Sequence, residues 1–308
     1  MKGVVAHGTP ILLIGSCFTD NIGGLMATRG FEVTVNPFGP LYNPLSLLRA
    51  VERLAEGSHI TETDIFSHGG LNHSFDFHSR YSRRSAGETL QAMNESISHA
   101  SEALHDASVV IVTLGTTRVF RLADSPERVV ANCHKLPAAT FVEERLSLAD
   151  TRQALHSLAA TIRRVNPAAH IIFTISPLRY LGGGAHDNLI IKSTLALALE
   201  EVMAAWDHTS YFPAYEIMMD DLRDYRFYAE DMRHPSAVAV DYIFDLFLRS
   251  MCTDSTIALA DEAHRLTRRL AHRDMGGNPA STAPGHQALI EQFINLHHCT
   301  RTALSRLL

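Results

Sequence analysis

A strand passes directly into a helix within the segment Ile11-Leu-Leu-Ile-Gly-Ser-Cys-Phe-Thr-Asp20. Its four leading apolar residues are typical of a buried parallel strand, and Gly15 interrupts them before a helix-like run begins. Ser16 therefore lies where a strand ends and a helix starts. Ligands of open α/β sheets bind at this place, because free backbone N–H groups and the positive end of the helix dipole point there.

Ser16 has two interpretations at this position. A serine hydroxyl there lies beside backbone donors that could hold an oxyanion, as a catalytic nucleophile requires. Serine is also a preferred N-cap residue, and its side chain then accepts a backbone hydrogen bond and does no chemistry. Cys17 is an alternative nucleophile, because thiols at helix N-termini can be activated. Consecutive helical residues point about 100° apart, so Ser16 and Cys17 cannot both face one base.

The composition excludes several classes of protein. The chain has 308 residues, of which 46% are hydrophobic and 19% are charged, which is ample for a buried core. A formal net charge of −6 and the lack of a Lys/Arg run argue against a nucleic-acid partner. The four cysteines show no CxxC pairing, which favours a reducing compartment. Apolar runs are too short for a signal peptide or a membrane span, so we expect a cytoplasmic protein with no membrane partner.

Strands and helices alternate along the first four fifths of the chain. Further strands are predicted at 31–35, 108–115, 170–176 and 210–213, and helices at 45–54, 89–104, 148–165 and 188–206. Five strands alternating with helices predict a parallel sheet that is covered on both faces.

The character of the sequence changes after Cys252. Amphipathic helices are predicted over 257–272 and 286–308, joined by a linker rich in Gly, Pro and Ser. We therefore expect a domain over 1–252 and a helical extension over 253–308. The extension either forms a homo-oligomer surface or packs back on its own domain.

Two polar segments carry candidate functional residues. The segment 66–82 contains His68, His73, His78 and Asp76, but their spacing matches no zinc template, so we predict a loop that lines a polar site and holds no metal.

The second segment, 223–236, contains Asp231 and His234 three residues apart, just before a helix start at Pro235-Ser236. A carboxylate at this spacing can fix the tautomer of the imidazole, and the other ring nitrogen is then free to take a proton from a hydroxyl group. The motif alone is weak evidence for a catalytic pair, but its combination with a serine at a strand end is stronger evidence.

Several motifs occur together in order: Gly-Ser-Cys-Phe (15–18), Asn-Pro-Phe-Gly-Pro-Leu-Tyr-Asn-Pro (36–44), Leu-Gly-Thr-Thr (114–117), Asn-Cys-His-Lys (132–135), Ser-Pro-Leu-Arg (176–179), Tyr-Phe-Pro-Ala-Tyr-Glu (211–216) and Asp-Met-Arg-His-Pro-Ser (231–236). With them the sequence resembles the GSCFA domain proteins, relatives of the SGNH/GDSL-type hydrolases, over roughly residues 3 to 250. Thr19 stands where the naming motif has alanine.

The resemblance implies a flavodoxin-like three-layer α/β/α sandwich with a five-stranded parallel sheet, and ester hydrolysis without a metal or organic cofactor. It assigns the nucleophile to Ser16, the base to His234 and the orienting carboxylate to Asp231. The oxyanion hole would then comprise the N–H groups of Ser16 and Gly39.

A third donor of the oxyanion hole is open to several residues. The wider superfamily has the asparagine of its GxND block where this chain has Gly115-Thr116-Thr117. We assign the role to Thr116, with Thr117, Asn132 and His134 as alternatives. The residues expected to bind substrate are Asn43, His78, Asn132 and His134.

The function predicted on this basis is that of a serine esterase. It would remove a small acyl group, such as acetyl, from a small-molecule or oligosaccharide ester through an acyl-enzyme. Two alternatives remain: an O-acyltransferase that uses the same triad, and a glycan-binding or scaffold protein without catalysis.

Overall fold

The computed structural model describes residues 2–271 and the single positions 288, 291 and 294. Its strands are β1 (Ile11–Gly15), β2 (Val33–Val35), β3 (Ile65–His68), β4 (Leu71–Ser74), β5 (Val109–Leu114), β6 (Arg118–Leu122), β7 (Val129–Val130), β8 (Phe141–Arg145), β9 (His170–Ile175) and β10 (Thr209–Phe212). Its α-helices are α1 (Cys17–Thr28), α2 (Pro44–Glu56), α3 (Ala86–Asp106), α4 (Leu148–Val165), α5 (Gly184–Ala205), α6 (Ala214–Asp220), α7 (Ala237–Met251) and α8 (Asp254–Ala271).

Five of these strands form one parallel sheet in the order β10-β9-β5-β1-β2. The chain first moves outward from β1 to β2, and it then returns to the other side of β1 to add β5, β9 and β10. The direction therefore reverses between β1 and β5, and ligands of such sheets bind outside the carboxyl ends of the strands at this point. The prediction of a flavodoxin-like five-stranded parallel sheet is confirmed.

Helices cover both faces of the sheet because the side chains of each strand alternate between two cores. Leu12 and Ile14 of β1 belong to the core under α2, α3, α4 and α5. Ile11 and Leu13 belong to the core under α1, α6, α7 and α8. Each of these side chains is at most 2% exposed, and burying one such side chain contributes about 1.5–3 kcal/mol.

Two small antiparallel sheets lie where the sequence predicts loops. The strands β3 and β4 form a hairpin within the polar segment 66–82, and β6 pairs with both β7 and β8. These strands have two to five residues, and β8 is mostly exposed, with charged side chains such as Glu143 and Glu144. Such strands are too short and too polar for the hydrophobic period to identify them.

Helix α8, at the start of the predicted extension, packs on its own domain. The largely buried Arg29, just after α1, lies 3.5 Å from both Asp245 of α7 and Asp261 of α8. Thr267 of α8 also donates a hydrogen bond to the Thr28 carbonyl at 2.8 Å. The second predicted helix, 286–308, lies outside the described residues except for single positions. The boundary at residue 252 and the homo-oligomer surface stay predictions.

Within residues 2–271, no helix is both long enough and apolar enough to cross a membrane.

Candidate active site

The turn between β1 and α1 is held by Gly15 and Asn36. Gly15 adopts a φ of +154°, and an added Cβ would collide with the backbone of Thr113 on β5. The Gly15 N–H donates to Asn36 Oδ1 at 2.8 Å, and Asn36 Nδ2 donates to Asp20 Oδ1 at 2.8 Å. Arg80 also bonds the Asn36 carbonyl. Asn36, which the sequence singled out only as part of a motif, therefore joins the end of β2 to this turn.

Ser16 is completely buried in this turn. Its hydroxyl accepts a hydrogen bond from the Phe18 N–H at 3.3 Å, which makes it the N-cap of α1. Within the described part of the chain, no hydrogen bond joins Ser16 to His234. The structure thus gives Ser16 the capping role that the sequence left open, and it does not give Ser16 the exposed hydroxyl expected of a nucleophile.

Cys17 is the first residue of α1 and is partly exposed. Burial and then the Asp20 carboxylate raise the pKa of its thiol. The backbone N–H groups of Phe18 and Cys17 and the ammonium of Lys192 act in the opposite direction. The thiol is therefore protonated at neutral pH and needs a base before it can attack.

Asp231 and His234 form a close pair. His234 Nδ1 lies 2.5 Å from Asp231 Oδ2, and Asp231 Oδ1 accepts the N–H groups of Arg233 at 3.0 Å and of His234 at 2.9 Å. The hydrogen bonds from His234, backbone first, and from Arg233 hold the pKa of Asp231 well below its usual range. Asp231 stays ionised and orients the ring, while His234 keeps a half-exposed side chain whose Nε2 can take a proton.

The pair lies at the same edge of the sheet as the β1–α1 turn. Helix α1 begins there and packs against α7, and the guanidinium of Arg29 lies 5.0 Å from the Phe244 ring. The Arg179 N–H, which follows the end of β9, donates to the Arg233 carbonyl at 3.1 Å, and this bond places the segment with Asp231 and His234 beside the carboxyl end of β9.

The three predicted oxyanion donors are already hydrogen-bonded within the protein. The Ser16 N–H donates to the Thr113 carbonyl at 3.3 Å, Gly39 to Asn36 at 2.8 Å, and Thr116 to Tyr42 at 2.9 Å. In this structure these groups hold the strand ends together and are not free for an oxyanion.

Gly39 and His78 contact each other. Gly39 has a φ of +83°, and an added Cβ there would collide with His78. The glycine therefore allows two loops to approach, where the sequence predicted an approach to a ligand. His78 Nδ1 accepts the Arg80 N–H at 3.2 Å and caps a short 3₁₀ turn.

Asn43 and His134 are structural as well. Asn43, 6% exposed, caps α2 by accepting the Ser46 N–H at 2.8 Å. His134, also 6% exposed, lies 2.7 Å from the Ser74 carbonyl through Nε2, and burial lowers its pKa to about 4. Both residues are almost entirely buried and bonded within the protein, and their contact with substrate stays a prediction.

Asn132 Oδ1 accepts the His134 N–H at 2.8 Å and shapes a turn. It keeps a partly exposed side chain.

The remaining polar residues of 66–82 are paired within the protein. His73 contacts Ser82 Oγ at 2.7 Å and the His68 carbonyl at 3.1 Å through its two ring nitrogens. Asp76 is buried and lies between arginine side chains, of which Arg53 is 3.1 Å away. Across residues 2–271, no three His, Cys, Asp or Glu side chains converge as a set of metal ligands.

Lys192 is a site residue that the sequence reading missed. Its ammonium, 3% exposed, donates to the carbonyls of Gly115 at 2.9 Å and Ser176 at 2.8 Å, and so joins the ends of β5 and β9. Burial lowers its pKa to about 7. The sequence feature that could have identified Lys192 is its place among the apolar residues of α5, one residue after Ile191 and three before Leu195.

A family model for the GSCFA family matches residues 10–247. The chain belongs to the GSCFA family. The match covers the whole parallel sheet, the β1–α1 turn and the Asp231–His234 pair of this GSCFA protein. No curated protein matches the chain.

Solved structures similar to this GSCFA protein include carbohydrate esterases. Est2A, an acetyl xylan esterase from the rumen bacterium Butyrivibrio proteoclasticus, shares 12% identity with a TM-score of 0.39, over 80% of this chain and 65% of its own. A family 3 carbohydrate esterase from Clostridium thermocellum shares 9% identity with a TM-score of 0.37. The match covers 78% of this chain and 92% of the esterase chain. A family two carbohydrate esterase from the same organism, in complex with cellohexaose, shares 15% identity with a TM-score of 0.34. The match covers 80% of this chain and 64% of the esterase chain. The chain thus spans less than two thirds of the length of Est2A and of the family two enzyme.

Proposed function

We propose that this protein hydrolyses small acyl esters, acetyl esters foremost, on carbohydrate. The observation that carries the proposal is the contact between His234 Nδ1 and Asp231 Oδ2, which leaves the other imidazole nitrogen available as a base. The β1–α1 turn, at the carboxyl ends of the strands, contains two candidate nucleophiles for this base, Ser16 and Cys17. The sequence assigns the attack to Ser16 within a triad with His234 and Asp231, and Cys17 is the alternative.

The reaction follows the general course of nucleophilic acyl transfer. His234 Nε2 takes the proton of the nucleophile, which attacks the acyl carbon and forms a tetrahedral oxyanion. The oxyanion collapses, the bond to the sugar oxygen breaks, and His234 returns the proton to that oxygen. Water, deprotonated by His234, then attacks the acyl-enzyme and releases the acid together with the free nucleophile. Asp231 stays ionised and stabilises the imidazolium at each step.

Aromatic side chains beside the base support a sugar as the alcohol part of the substrate. Tyr225 is 62% exposed, and its ring centroid lies 6.1 Å from that of Tyr228. The guanidinium of Arg179 lies 5.5 Å from the Tyr228 ring. Exposed aromatic faces combined with donor groups suit ligands that present both C–H and hydroxyl groups, because such side chains have an apolar body and a polar tip.

The test is hydrolysis of a chromogenic acetyl ester and of an acetylated xylo-oligosaccharide. We expect His234→Ala to lower kcat/KM by roughly 10⁴-fold or more, and Asp231→Asn by roughly 10³–10⁴-fold, because the imidazole is lost in one and loses its orientation in the other. Glu230→Gln removes an exposed carboxylate next to Asp231 and is expected to leave kcat/KM within about twofold.

Each alternative has a distinct outcome in the same assay. Acetyl transfer to an added sugar in preference to water would make the protein an acyltransferase. Binding of the oligosaccharide without turnover by the native chain would make it a glycan-binding protein. Turnover that is unchanged in His234→Ala would contradict the proposed base.

A further inference from the structure

Ser16 and Cys17 are consecutive, and only Cys17 has a side chain that solvent can reach. A nucleophile must approach the acyl carbon to bonding distance, which a fully enclosed hydroxyl cannot do without opening the turn. The Ser16 hydroxyl is also engaged as the cap of α1, while its N–H is bonded to Thr113. Ser16 is thus fixed by the same contacts that hold the turn.

Cys17 lies at the first position of α1, at the positive end of the helix dipole. The N–H groups of Phe18 and Cys17 both favour the thiolate. The Phe18 N–H is already donated to Ser16 Oγ, so an oxyanion formed on a carbon bonded to the sulphur would be stabilised by the positive end of the helix dipole.

The surroundings of Cys17 shift the pKa of its thiol in opposite directions. Burial and the Asp20 carboxylate oppose formation of the thiolate, whereas the Lys192 ammonium favours it. Burial, followed by the charges of Cys17 and Asp20, raises the pKa of Tyr42 to about 12. The resting thiol is therefore protonated, and its reactivity depends on a base, the role proposed for His234.

We infer that the Cys17 thiol is the nucleophile of this site and that Ser16 is the helix cap that positions it. This inference rests on the proposed ester hydrolysis and names its attacking atom. His234 Nε2 takes the S–H proton, a C–S bond forms to the acyl carbon, and the bond to the sugar oxygen breaks as that oxygen receives the proton. His234 then takes a proton from water, which attacks the thioester, and the C–S bond breaks as the sulphur receives that proton from His234.

The experiment combines hydrolysis of a chromogenic acetyl ester with intact-mass and peptide mass spectrometry of the acylated protein. We expect one acetyl group on Cys17 of the native chain, and a loss of at least roughly 10⁴-fold in kcat/KM with no acetyl adduct for Cys17→Ala. Ser16→Gly is expected to keep the adduct on Cys17 and to lose less than about tenfold in kcat/KM, because glycine replaces a capping serine at a cost of only a few tenths of a kcal/mol.

Controls separate chemistry from folding. Cys133→Ala removes another partly exposed thiol and is expected to keep kcat/KM within about twofold. Cys17→Ser nearly keeps the side-chain volume and is expected to fold as the native chain does while losing the thioester adduct. It therefore replaces Cys17→Ala as the test if the alanine variant has a lower Tm than the native chain.

The inference and the proposed function fail in different ways. An acetyl adduct on Ser16, or hydrolysis that survives Cys17→Ala and is lost in Ser16→Gly, would overturn the role of Cys17 and leave the esterase in place. A native chain that neither hydrolyses the ester nor acquires an acetyl group would overturn both.

Discussion

Lys192 carries a buried charge whose free-energy cost depends on pH. Burial lowers the pKa of Lys192 to about 7, so the folded chain holds this proton more weakly than the unfolded chain does. Between the folded pKa and the higher unfolded pKa, the unfolded state therefore binds more protons, and the stability of the fold rises with pH. Lys192→Met removes the titrating group and nearly keeps the length of the side chain.

The size of the effect follows from the two pKa values. Proton linkage between a folded pKa of about 7 and an ordinary lysine pKa gives an increase of about 3 kcal/mol in the free energy of unfolding from pH ~6 to pH ~9. In Lys192→Met this increase is absent, and the carbonyls of Gly115 and Ser176 lose their donor at a cost of roughly 1–3 kcal/mol each. The variant is therefore clearly less stable than the native chain at pH ~9, and the gap shrinks by about 3 kcal/mol at pH ~6.

Urea unfolding of both proteins at the two pH values measures this gap. The chain has one tryptophan, Trp206, whose indole N–H donates to His156 at 3.1 Å, so its fluorescence reports the folded state and far-UV circular dichroism provides an independent signal. Groups that lie away from Lys192 titrate equally in both proteins, and their contribution cancels in the difference. A stability gap that is the same at both pH values would refute the assignment of a lowered pKa to Lys192.

Two further changes test the fold around the site. Gly15→Ala is expected to cost more than about 3 kcal/mol in urea unfolding, because the new Cβ would collide with Thr113 at a φ of +154°. The exposed helical Gly24→Ala, with open space around it, is expected to gain about 0.5–1 kcal/mol, and equal effects at the two glycines would contradict the steric argument. His134 has a folded pKa of about 4, so its stability contribution is complete above its ordinary pKa and declines as pH falls toward 4. We expect the native chain to lose about 1.5 kcal/mol from this group between pH ~6.5 and pH ~5, and His134→Gln, measured by urea unfolding, to lack that loss.

The parallel sheet could be predicted because its signals are local and repeated. Each central strand is an apolar run that supplies side chains to two cores, as Leu12 and Leu13 do in β1. Helix α4 lies at 148–165, as its amphipathic pattern predicts. The hairpin of β3 and β4 could not be recognised in the same way, because pairing with a neighbouring strand stabilises those polar residues and leaves no periodic pattern in the sequence.

The sequence by itself determined the alternation of strands and helices, membership of the GSCFA family and the proximity of Asp231 to His234, which are only three residues apart. Only the tertiary structure decided the exposure of the residues around them. Burial of Ser16 and partial exposure of Cys17 depend on how β2 and β5 pack against the β1–α1 turn, through contacts such as those of Asn36 and Thr113. The bonds of Lys192 to Gly115 and Ser176 likewise span 77 and 16 residues, and no local pattern encodes contacts that exist only after the strands have assembled.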